Sequence, residues 1–452
     1  MLAVTATAAP APGLVQRLRQ TLPPGMIAVA CGLAVLGGAS FVHLGVAGHA
    51  MTGAHYSAML VVWSIVFSIG IGLFMPIEQE ITRIVAARRG KGGTAGQPVE
   101  GAVAILRRGV TLAVGQLAAI LVLLAVFGRT VADKLFHGDM SLVWALGGAL
   151  AALACAHPTR GVLAGTGAFG WYGAQLGIDG GLRVVLAVGL GLAGATSPLA
   201  YALILTIAPV LSVVATLPAV LRLVRPGPGV GWGELTGGLG LLVVSSLLAQ
   251  LVVNVAVVNV TILDPGDQAL AGALGSAIVL ARVPLFVFAS LQASLLPGLS
   301  HAIAHGDRAG FRGLLRRALG LVVLLGLGGG IPAVILGPWL MTALFGVGRV
   351  LDRLDFAWFA AGTTAYMAAL VYGQAVQALG RHPYQTLAWI IGTIALILVT
   401  VGPGGVKVRV EVAYAVGSVV TALGLALATL LVKPRPAGIP DVDVTPAVAA
   451  LE

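Results

Sequence analysis

The chain is short of charged residues. Only 9% of its 452 residues are Asp, Glu, Lys or Arg, whereas 58% are hydrophobic. Soluble globular domains carry about 25% charged residues, so this composition excludes an ordinary soluble protein. Most of the charges fall between apolar stretches, each about long enough for the roughly 20 residues that cross a bilayer as a helix. We therefore expect an integral membrane protein.

Cysteine and the common catalytic motifs are also scarce or absent. The two cysteines, Cys31 and Cys155, both lie in apolar stretches, so they indicate neither a disulfide framework nor a metal site. The sequence has no P-loop ending in Gly-Lys-Ser/Thr, no HExxH-like metal motif and no nucleophile–base arrangement. We therefore expect no enzyme activity, no built-in ATPase, no metal and no cofactor.

Twelve apolar stretches are predicted to span the membrane, which gives an all-α integral membrane fold. The predicted spans are 26–47, 56–76, 105–128, 142–164, 172–193, 200–221, 235–261, 268–299, 318–343, 356–378, 386–402 and 411–432. Glycine (64 residues) and alanine recur throughout them. Small residues let helices in lipid approach closely, so the spans are expected to form a tight bundle.

Basic residues are distributed unequally between the two sides of these spans. With a cytoplasmic N-terminus, 18 of the 26 Lys and Arg residues are assigned to the inner side, Arg160 among them, and six to the outer side. The other two, Arg183 and Arg282, fall within spans. This bias predicts that both termini are cytoplasmic. It also explains most of the net charge of +10, so we expect no nucleic-acid binding.

The loop pattern of the first six spans recurs in the second six. Met75-Pro76 is followed by a basic stretch to Arg107-Arg108, and Leu296-Pro297 by a basic stretch to Arg316-Arg317. This repeat predicts two six-helix bundles related by a pseudo-two-fold axis along the membrane normal, as in transporters that use alternating access. The predicted segments are a cytoplasmic tail 1–25, a first lobe 26–222, a linker 223–234 acting as a hinge, a second lobe 235–432 and a cytoplasmic tail 433–452.

Two short segments resemble polysaccharide-biosynthesis membrane proteins of high-GC bacteria. They are Met75–Arg83 with the Ala/Arg-rich loop after it, and Arg282–Leu285 continuing to Gln292–Pro297. Those proteins form the oligosaccharide-lipid flippase branch of the multidrug, oligosaccharidyl-lipid and polysaccharide exporter superfamily. The resemblance implies a bacterial cytoplasmic-membrane flippase for a lipid-linked saccharide, with two lobes rocking around a central cavity. Lipid II flippases of this superfamily often have 14 spans, so the match to them is poorer.

Arg282 is the most informative single residue. It lies near the middle of span 268–299, two residues before Pro284. An arginine at that depth costs several kcal/mol unless it faces protein, water or an anion. One interpretation is that it attracts the pyrophosphate of a polyprenyl-linked glycan, because guanidinium stays charged and donates two parallel hydrogen bonds. An ion pair or a hydrogen bond to another helix is an equally open alternative.

Two further candidates share one helix. Arg183 and Asp179 are four residues apart, so they face each other on the same side of span 172–193. A local neutral pair is favoured over a substrate contact for Arg183. Asp179 is the acidic residue that the sequence places clearly inside a span. It is therefore the candidate for coupling transport to a proton or cation.

Glu78 and Glu80 are gating candidates at the cytoplasmic end of span 56–76. They could pair with basic loops of the other lobe, although a solvated cluster beside Arg83 is the favoured interpretation. In span 235–261, Gln250 and Asn254 share one helix face, and Asn259 extends this polarity outward. These amides are predicted either to line the cavity and contact sugar or to bond neighbouring helices.

The function predicted from the sequence is a secondary flippase. It would move an anionic lipid-linked oligosaccharide, carried on polyprenyl pyrophosphate, to the outer leaflet. Membrane lipids and, as further candidates, a glycan polymerase or glycosyltransferases would be its partners. One alternative is a cation-coupled drug or metabolite antiporter, which usually needs buried carboxylates that spans 26–47 and 235–261 lack. The other alternative is a non-transporting membrane scaffold for glycan enzymes.

Overall fold

The computed structural model describes most of the chain between Met26 and Leu431. The described residues are 26–89, 94–229, 231–236, 239–254, 256–264, 266–281, 283–285, 288, 295, 299, 302–303, 307–346, 350–379 and 381–431. The helices within them are α1 Met26–Ala50, α2 Gly53–Ile65, α3 Ile71–Arg89, α4 Ala102–Leu135, α5 Met140–Gly165, α6 Phe169–Leu192, α7 Pro198–Leu223, α8 Trp232–Thr236, α9 Leu239–Asn254, α10 Ala256–Leu263, α11 Gln268–Ala281, α12 Arg308–Phe345, α13 Arg353–Ala378, α14 His382–Thr400 and α15 Val406–Leu431. The predicted tails 1–25 and 433–452 lie outside them.

The fold is that of an all-α membrane protein, as predicted. Among the described residues, nine helices are long and apolar enough to cross a membrane: α1, α4, α5, α6, α7, α12, α13, α14 and α15. They coincide with nine of the predicted spans. Large apolar side chains cover their outer faces, and Leu192 and Leu430 are 86% and 79% exposed. Such a surface is stable only against lipid or another apolar partner.

The second predicted span is a broken helix. Helix α2 continues into a π-helical turn, Val66–Gly70, before α3 begins. Pro76 lies inside α3 and removes a further backbone hydrogen bond. Both features bend helices, and π-helical turns frequently occur at functional sites. Hydropathy predicted an unbroken span ending at residue 76, whereas the helix reaches Arg89.

The same pairs of spans pack together in the two halves. In the first half, α1 packs on α6, α4 on α5, α5 on α7, and α6 on α7. In the second half, α9 packs on α14, α12 on α13, α13 on α15, and α14 on α15. Counted as spans, these pairs are 1–5, 3–4, 4–6 and 5–6 in one half and 7–11, 9–10, 10–12 and 11–12 in the other. The two halves therefore share one packing order, as an internal duplication would produce.

The broken span forms the wall between the two halves. Helix α2 packs on α11, and α3 and the π-helical turn pack on α9. The hydroxyls of Tyr56 and Ser276 are 2.8 Å apart across this boundary. A Cβ atom added to Gly72 would lie 2.8 Å from the Cα of Leu247, so the backbones of α3 and α9 are in close contact. Movement of either half therefore acts directly on span 2.

The start of the predicted linker is tied to the first half. Two short strands, β1 Val99–Glu100 and β2 Val224–Arg225, pair in parallel. Arg88 donates hydrogen bonds of 2.7 and 3.1 Å to the carbonyls of Pro228 and Gly229. The linker is therefore bonded to the first half as far as Gly229. This end of the molecule, where α3 and α7 end and α12 and α14 begin, is called the basic side below.

Candidate functional site

Three buried charged groups meet inside the first half. Asp179 on α6 accepts hydrogen bonds from Arg183 Nε at 2.8 Å and Nη2 at 3.3 Å. Its second oxygen also accepts from Arg160 Nη2 on α5, at 3.1 Å. The three side chains are 1%, 5% and 7% exposed, respectively. Two guanidinium groups thus share one carboxylate, which leaves a net charge of about +1 within an apolar lobe.

The local fold explains why Arg160 reaches Asp179. Helices α5 and α6 are joined by a tight turn in which Gly167 has a φ of 74°, a conformation that favours glycine. Residues on the facing sides of this helical hairpin therefore meet. Arg160, which the sequence analysis assigned to the inner side, lies inside α5, where Asp179 supplies a counterion that makes its burial possible. The expected pair of Arg183 with Asp179 is present, but it is part of a triad.

A second cluster lies nearer the basic side. Glu78 Oε2 is 2.7 Å from His157 Nδ1, and Tyr172 donates a 2.8 Å hydrogen bond to Glu78 Oε1. The Glu78 side chain is only 13% exposed. The interpretation of Glu78 as part of a solvated cluster was therefore wrong, because α5 and α6 enclose it. Its partners belong to its own half and not to basic loops of the other lobe.

On the basic side, the Glu80 carboxylate interacts across the boundary between the two halves. It is half-buried, and it interacts electrostatically with His382 at the start of α14 in the second half. Within one turn of α3, Glu78 thus faces α5 and α6 while Glu80 faces the other half.

The two clusters form one polar track behind the broken span. We define the polar track as Glu78, His157, Tyr172, Gln175, Arg160, Asp179 and Arg183. Gln175 donates a 3.1 Å hydrogen bond to Thr159 between the clusters. From Tyr172 to Arg183 the track follows α6 for about 16 Å, roughly half the thickness of a bilayer core. At its deep end, the Arg183 guanidinium lies 5.8 Å from the Phe67 ring in the π-helical turn.

Several buried polar atoms of the polar track make no hydrogen bond to the described residues. Arg160 Nε, His157 Nε2 and Gln175 Oε1 are buried, and none has a hydrogen-bond partner among the described residues. Buried donors and acceptors are costly when unpaired, so such atoms mark places where a polar ligand gains most. Its triad of Arg160, Arg183 and Asp179 carries a formal charge of +1, which Glu78 balances nearer the basic side, and the track keeps free hydrogen-bonding capacity.

Helix α3 covers the track. A Cβ atom added to Gly161 would lie 2.9 Å from the carbonyl oxygen of Glu78, and one added to Gly165 would lie 3.0 Å from that of Thr82. The Thr82 hydroxyl also bonds the carbonyls of Glu78 and Gly161, at 2.8 and 3.2 Å. Glycine on α5 thus allows α3 to lie directly against it. Helix α3 therefore packs directly on the helix that carries Arg160.

The predicted sugar-contacting face of span 7 has a different environment. Asn259 donates a 3.4 Å hydrogen bond to Thr400 of α14, so it bonds a neighbouring helix of its own half. Gln250 is half-buried on α9. The side chain of Asn254, at the end of α9, and the whole of Arg282 lie outside the described residues. Asn259 therefore contacts α14 and is not part of the polar track.

The second half contains an apolar cavity and an acidic cluster that sequence reasoning missed. The cavity, of about 230 Å³, lies between α11, α12 and α13 and is lined by Pro284, Phe356, Phe359 and Thr363 among others. Next to it, at the end opposite the basic side, lie Asp355 and the fully buried Glu411. Asp179 is therefore not the only deeply buried carboxylate. The sequence signal was weak because both residues stand at the boundaries of predicted spans.

Comparison with known proteins gives distant relatives and one fold. No protein family model matches the chain. Two uncharacterized proteins of Mycobacterium tuberculosis are 28% identical over 279 residues and 26% identical over 294 residues. These matches cover 59% and 62% of this chain, and 61% and 64% of the relatives. The chain thus spans less than two thirds of the length of these relatives.

Solved structures match nearly the whole chain. A crystal structure of the Vibrio cholerae MATE transporter VcmN has a TM-score of 0.62 at 15% identity and covers 92% of this chain and 96% of its own. The lipid II flippase MurJ in its inward closed conformation has a TM-score of 0.62 at 11% identity. The match covers 89% of this chain and 87% of the MurJ chain. The chain therefore shares the fold of these two transport proteins.

Proposed function

We propose that the chain is a secondary transporter that flips an oligosaccharide linked to polyprenyl pyrophosphate across the bacterial cytoplasmic membrane. Alternating access of its two halves would carry the head group, while the lipid tail stays in the bilayer. The observation that carries the proposal is the triad in the polar track, where Arg160 and Arg183 share Asp179. The fold is common to MATE transporters and to MurJ, a lipid II flippase.

The charge of the triad suits an anionic head group. Guanidinium stays ionised at every physiological pH and matches the geometry of phosphate oxygens. Arg160 keeps a free Nε after bonding Asp179, and Gln175 keeps a free Oε1 that suits a sugar hydroxyl. Rocking of the halves would move α3 away from α5 and let pyrophosphate compete with Asp179 for Arg160.

An apolar groove provides a path for the lipid tail. It has a volume of about 630 Å³ and runs between the outer faces of α12 and α13. Val323, Leu327 and Ile331 are among its lining residues, and each is more than half exposed. A prenyl chain would lie here against hydrocarbon side chains. The head group and the tail would then move along different surfaces.

The second candidate function is a cation-coupled antiporter for drugs or metabolites. The MATE transporters among the structural neighbours and the buried carboxylates Asp355 and Glu411 favour it. The formal charge of +1 on the triad opposes a cationic cargo beside Arg160 and Arg183. Uptake or export of an organic cation that competes with the lipid-linked saccharide would favour the antiporter. A non-transporting scaffold would move neither.

A cell experiment tests the proposed substrate. In cells lacking the protein, lipid-linked saccharide should accumulate in the inner leaflet, and the intact protein should restore its distribution. Arg160→Gln should lower the rate of translocation about 10- to 100-fold, because it removes a charge-assisted hydrogen-bond donor for phosphate worth about 1.5–3 kcal/mol. Arg183 remains bonded to Asp179 in this variant, so the fold should persist.

The matched control is Arg129→Gln. Arg129 is 82% exposed on α4 and pairs only weakly with Asp133, at 4.0 Å. The Arg129→Gln variant should restore the leaflet distribution of the saccharide as well as the intact protein does. An unchanged leaflet distribution in a strain without a second flippase would contradict the proposal, as would full rescue by Arg160→Gln.

A further inference from the structure

Helix α12 begins with a row of exposed arginines on the basic side. Arg308, Arg312 and Arg316, called the arginine row below, lie four residues apart and therefore share one face of the helix over about two turns. The sequence of α12 contains no Asp or Glu, and no ion pair among the described residues involves these three arginines. Cations are disfavoured at a helix N-terminus, so helix stability does not explain the row.

The same helix face leads from the arginine row into the apolar groove between α12 and α13. Steps of three and four residues connect Arg316 to Leu319, Val323 and Gly326, and these three residues line the groove. Because α12 is one continuous helix, the arginine row and the groove stay in line. The arginines therefore lie at the end of the groove that faces the basic side.

The groove itself offers only hydrocarbon to a ligand. Among its described lining residues, Thr364 has the one polar side chain, and its hydroxyl donates a 2.7 Å hydrogen bond to the carbonyl of Ala360. The floor is closed where the helices touch, since a Cβ atom added to Gly330 would lie 2.9 Å from the Cβ of Ala360. The lining residues of α12, within 319–335, extend for about 24 Å along the helix axis. Such a groove suits an apolar chain.

The inner-side bias of basic residues does not explain this alignment. The bias requires cations on one side of the membrane, but not on one face of one helix. Arg317 is also exposed, yet it lies about 160° around the helix from Leu319, whereas Arg316 lies about 60° from it. The neighbouring arginines thus differ in their position relative to the groove, which makes Arg317 a matched control.

We propose that the arginine row and the groove form one docking site for a lipid with a single long apolar chain and a pyrophosphate head group. The inference rests on the proposed function, and it names the place where the lipid-linked saccharide first binds. The pyrophosphate would bond Arg312 and Arg316 at the surface of the inner leaflet, because guanidinium groups donate parallel hydrogen bonds to phosphate oxygens. The chain would lie in the groove. A glycerophospholipid has two chains, and one of them would stay outside.

Photochemical labelling tests the docking site without any saccharide. The probe is a polyprenyl pyrophosphate with a photoreactive group in its chain, mixed into phosphatidylcholine vesicles that contain the purified full chain. Mass spectrometry then maps the labelled residues. We expect the labels within 319–335 of α12 and 357–368 of α13, the two stretches that line the groove.

The head-group contact is tested by Arg312→Gln combined with Arg316→Gln. This double variant should raise the probe concentration for half-maximal groove labelling about 10- to 100-fold, because two cations act on one head group. Arg317→Gln removes the same kind of charge from the neighbouring position and should leave that concentration unchanged. A second probe, with the same chain but a hydroxyl in place of the pyrophosphate, should be insensitive to all three substitutions.

The chain contact is tested by Ala361→Phe. Ala361 is exposed and lines the groove, so a phenyl ring there should reduce labelling by both probes. Ala118→Phe is the control, because Ala118 is exposed on α4, away from the groove.

The outcomes separate the docking site from the proposed function. Labels spread over all lipid-facing helices, or equal effects of Arg317→Gln and the double variant, would overturn the docking site. Displacement of the probe by an equal concentration of phosphatidylglycerol would overturn the single-chain occupant. Specific groove labelling by a protein that translocates no saccharide would overturn only the proposed function. Translocation without groove labelling would overturn only the docking site.

Discussion

Asp179→Asn is expected to lower the free energy of unfolding by about 3–5 kcal/mol. The substitution keeps the shape of the side chain but removes the carboxylate that is bonded to both Arg160 and Arg183, which leaves only Glu78 to act on Arg160 from a distance. Two buried guanidinium groups then repel each other, and neither can lose its proton to relieve the charge. Chemical unfolding of the purified protein in mixed micelles, followed by tryptophan fluorescence, would measure the loss.

The comparison variants separate charge balance from packing. Arg160→Gln leaves a one-to-one pair of Arg183 with Asp179, so it should cost clearly less than Asp179→Asn. Combining Asp179→Asn with Arg160→Gln removes one of the two stranded charges and should recover part of the loss, which a double-mutant cycle would reveal as coupling. Equal stability of Asp179→Asn and Arg160→Gln would show that the triad does not hold the first half together.

Gly173→Ala is expected to loosen the seam between α1 and α6 and to cost about 1–3 kcal/mol. A Cβ atom at Gly173 would overlap the carbonyl oxygen of Ala28, and one at Gly32 would overlap that of Gly173. Further along, a Cβ at Gly180 would lie 2.7 Å from the Cα of Leu36. These neighbours are backbone atoms, which cannot rotate away as a side chain can.

The same helix provides the control for this seam. A Cβ atom at Gly177 would meet no atom within 4 Å, so Gly177→Ala should be neutral or stabilising by up to about 1 kcal/mol. The amount of monodisperse protein after extraction and the unfolding temperature would compare the two variants. Equal behaviour would mean that α1 and α6 do not approach as closely as the structure shows.

The two predictions concern the same functional unit. Asp179 lies between Gly173 and Gly180 on the helix that packs most tightly on α1. The close α1–α6 seam therefore fixes the helix that carries the polar track, while the broken span 2 lies on its other side and contacts the second half. A closely packed helix that carries the arginines beside a bent span 2 fits the alternating access that we propose.

Much of the fold could be predicted because hydropathy reports which segments are apolar. It could not show where a helix breaks. Nothing in the composition of residues 56–76 distinguishes the π-helical turn Val66–Gly70 from a regular turn, since the difference lies in the hydrogen-bond register.

The site was predictable only where its contacts are local. Asp179 and Arg183 are four residues apart on one helix, so their pairing follows from helical geometry. Arg160 joins them across a helical hairpin, and Glu78 meets His157 across two helices, so neither contact leaves a pattern along the chain. Glu411 was missed for a third reason: its burial depends on the first turn of α13 folding against it.

Reconstitution of the purified chain into vesicles tests the central claim most directly. A labelled saccharide on polyprenyl pyrophosphate is incorporated into both leaflets, and a membrane-impermeant reagent measures the fraction that becomes accessible over time. The account predicts rapid translocation by the intact protein and by Arg129→Gln, and translocation slowed about 10- to 100-fold by Arg160→Gln. No translocation by the intact protein, or equal rates for Arg160→Gln and the intact protein, would contradict it.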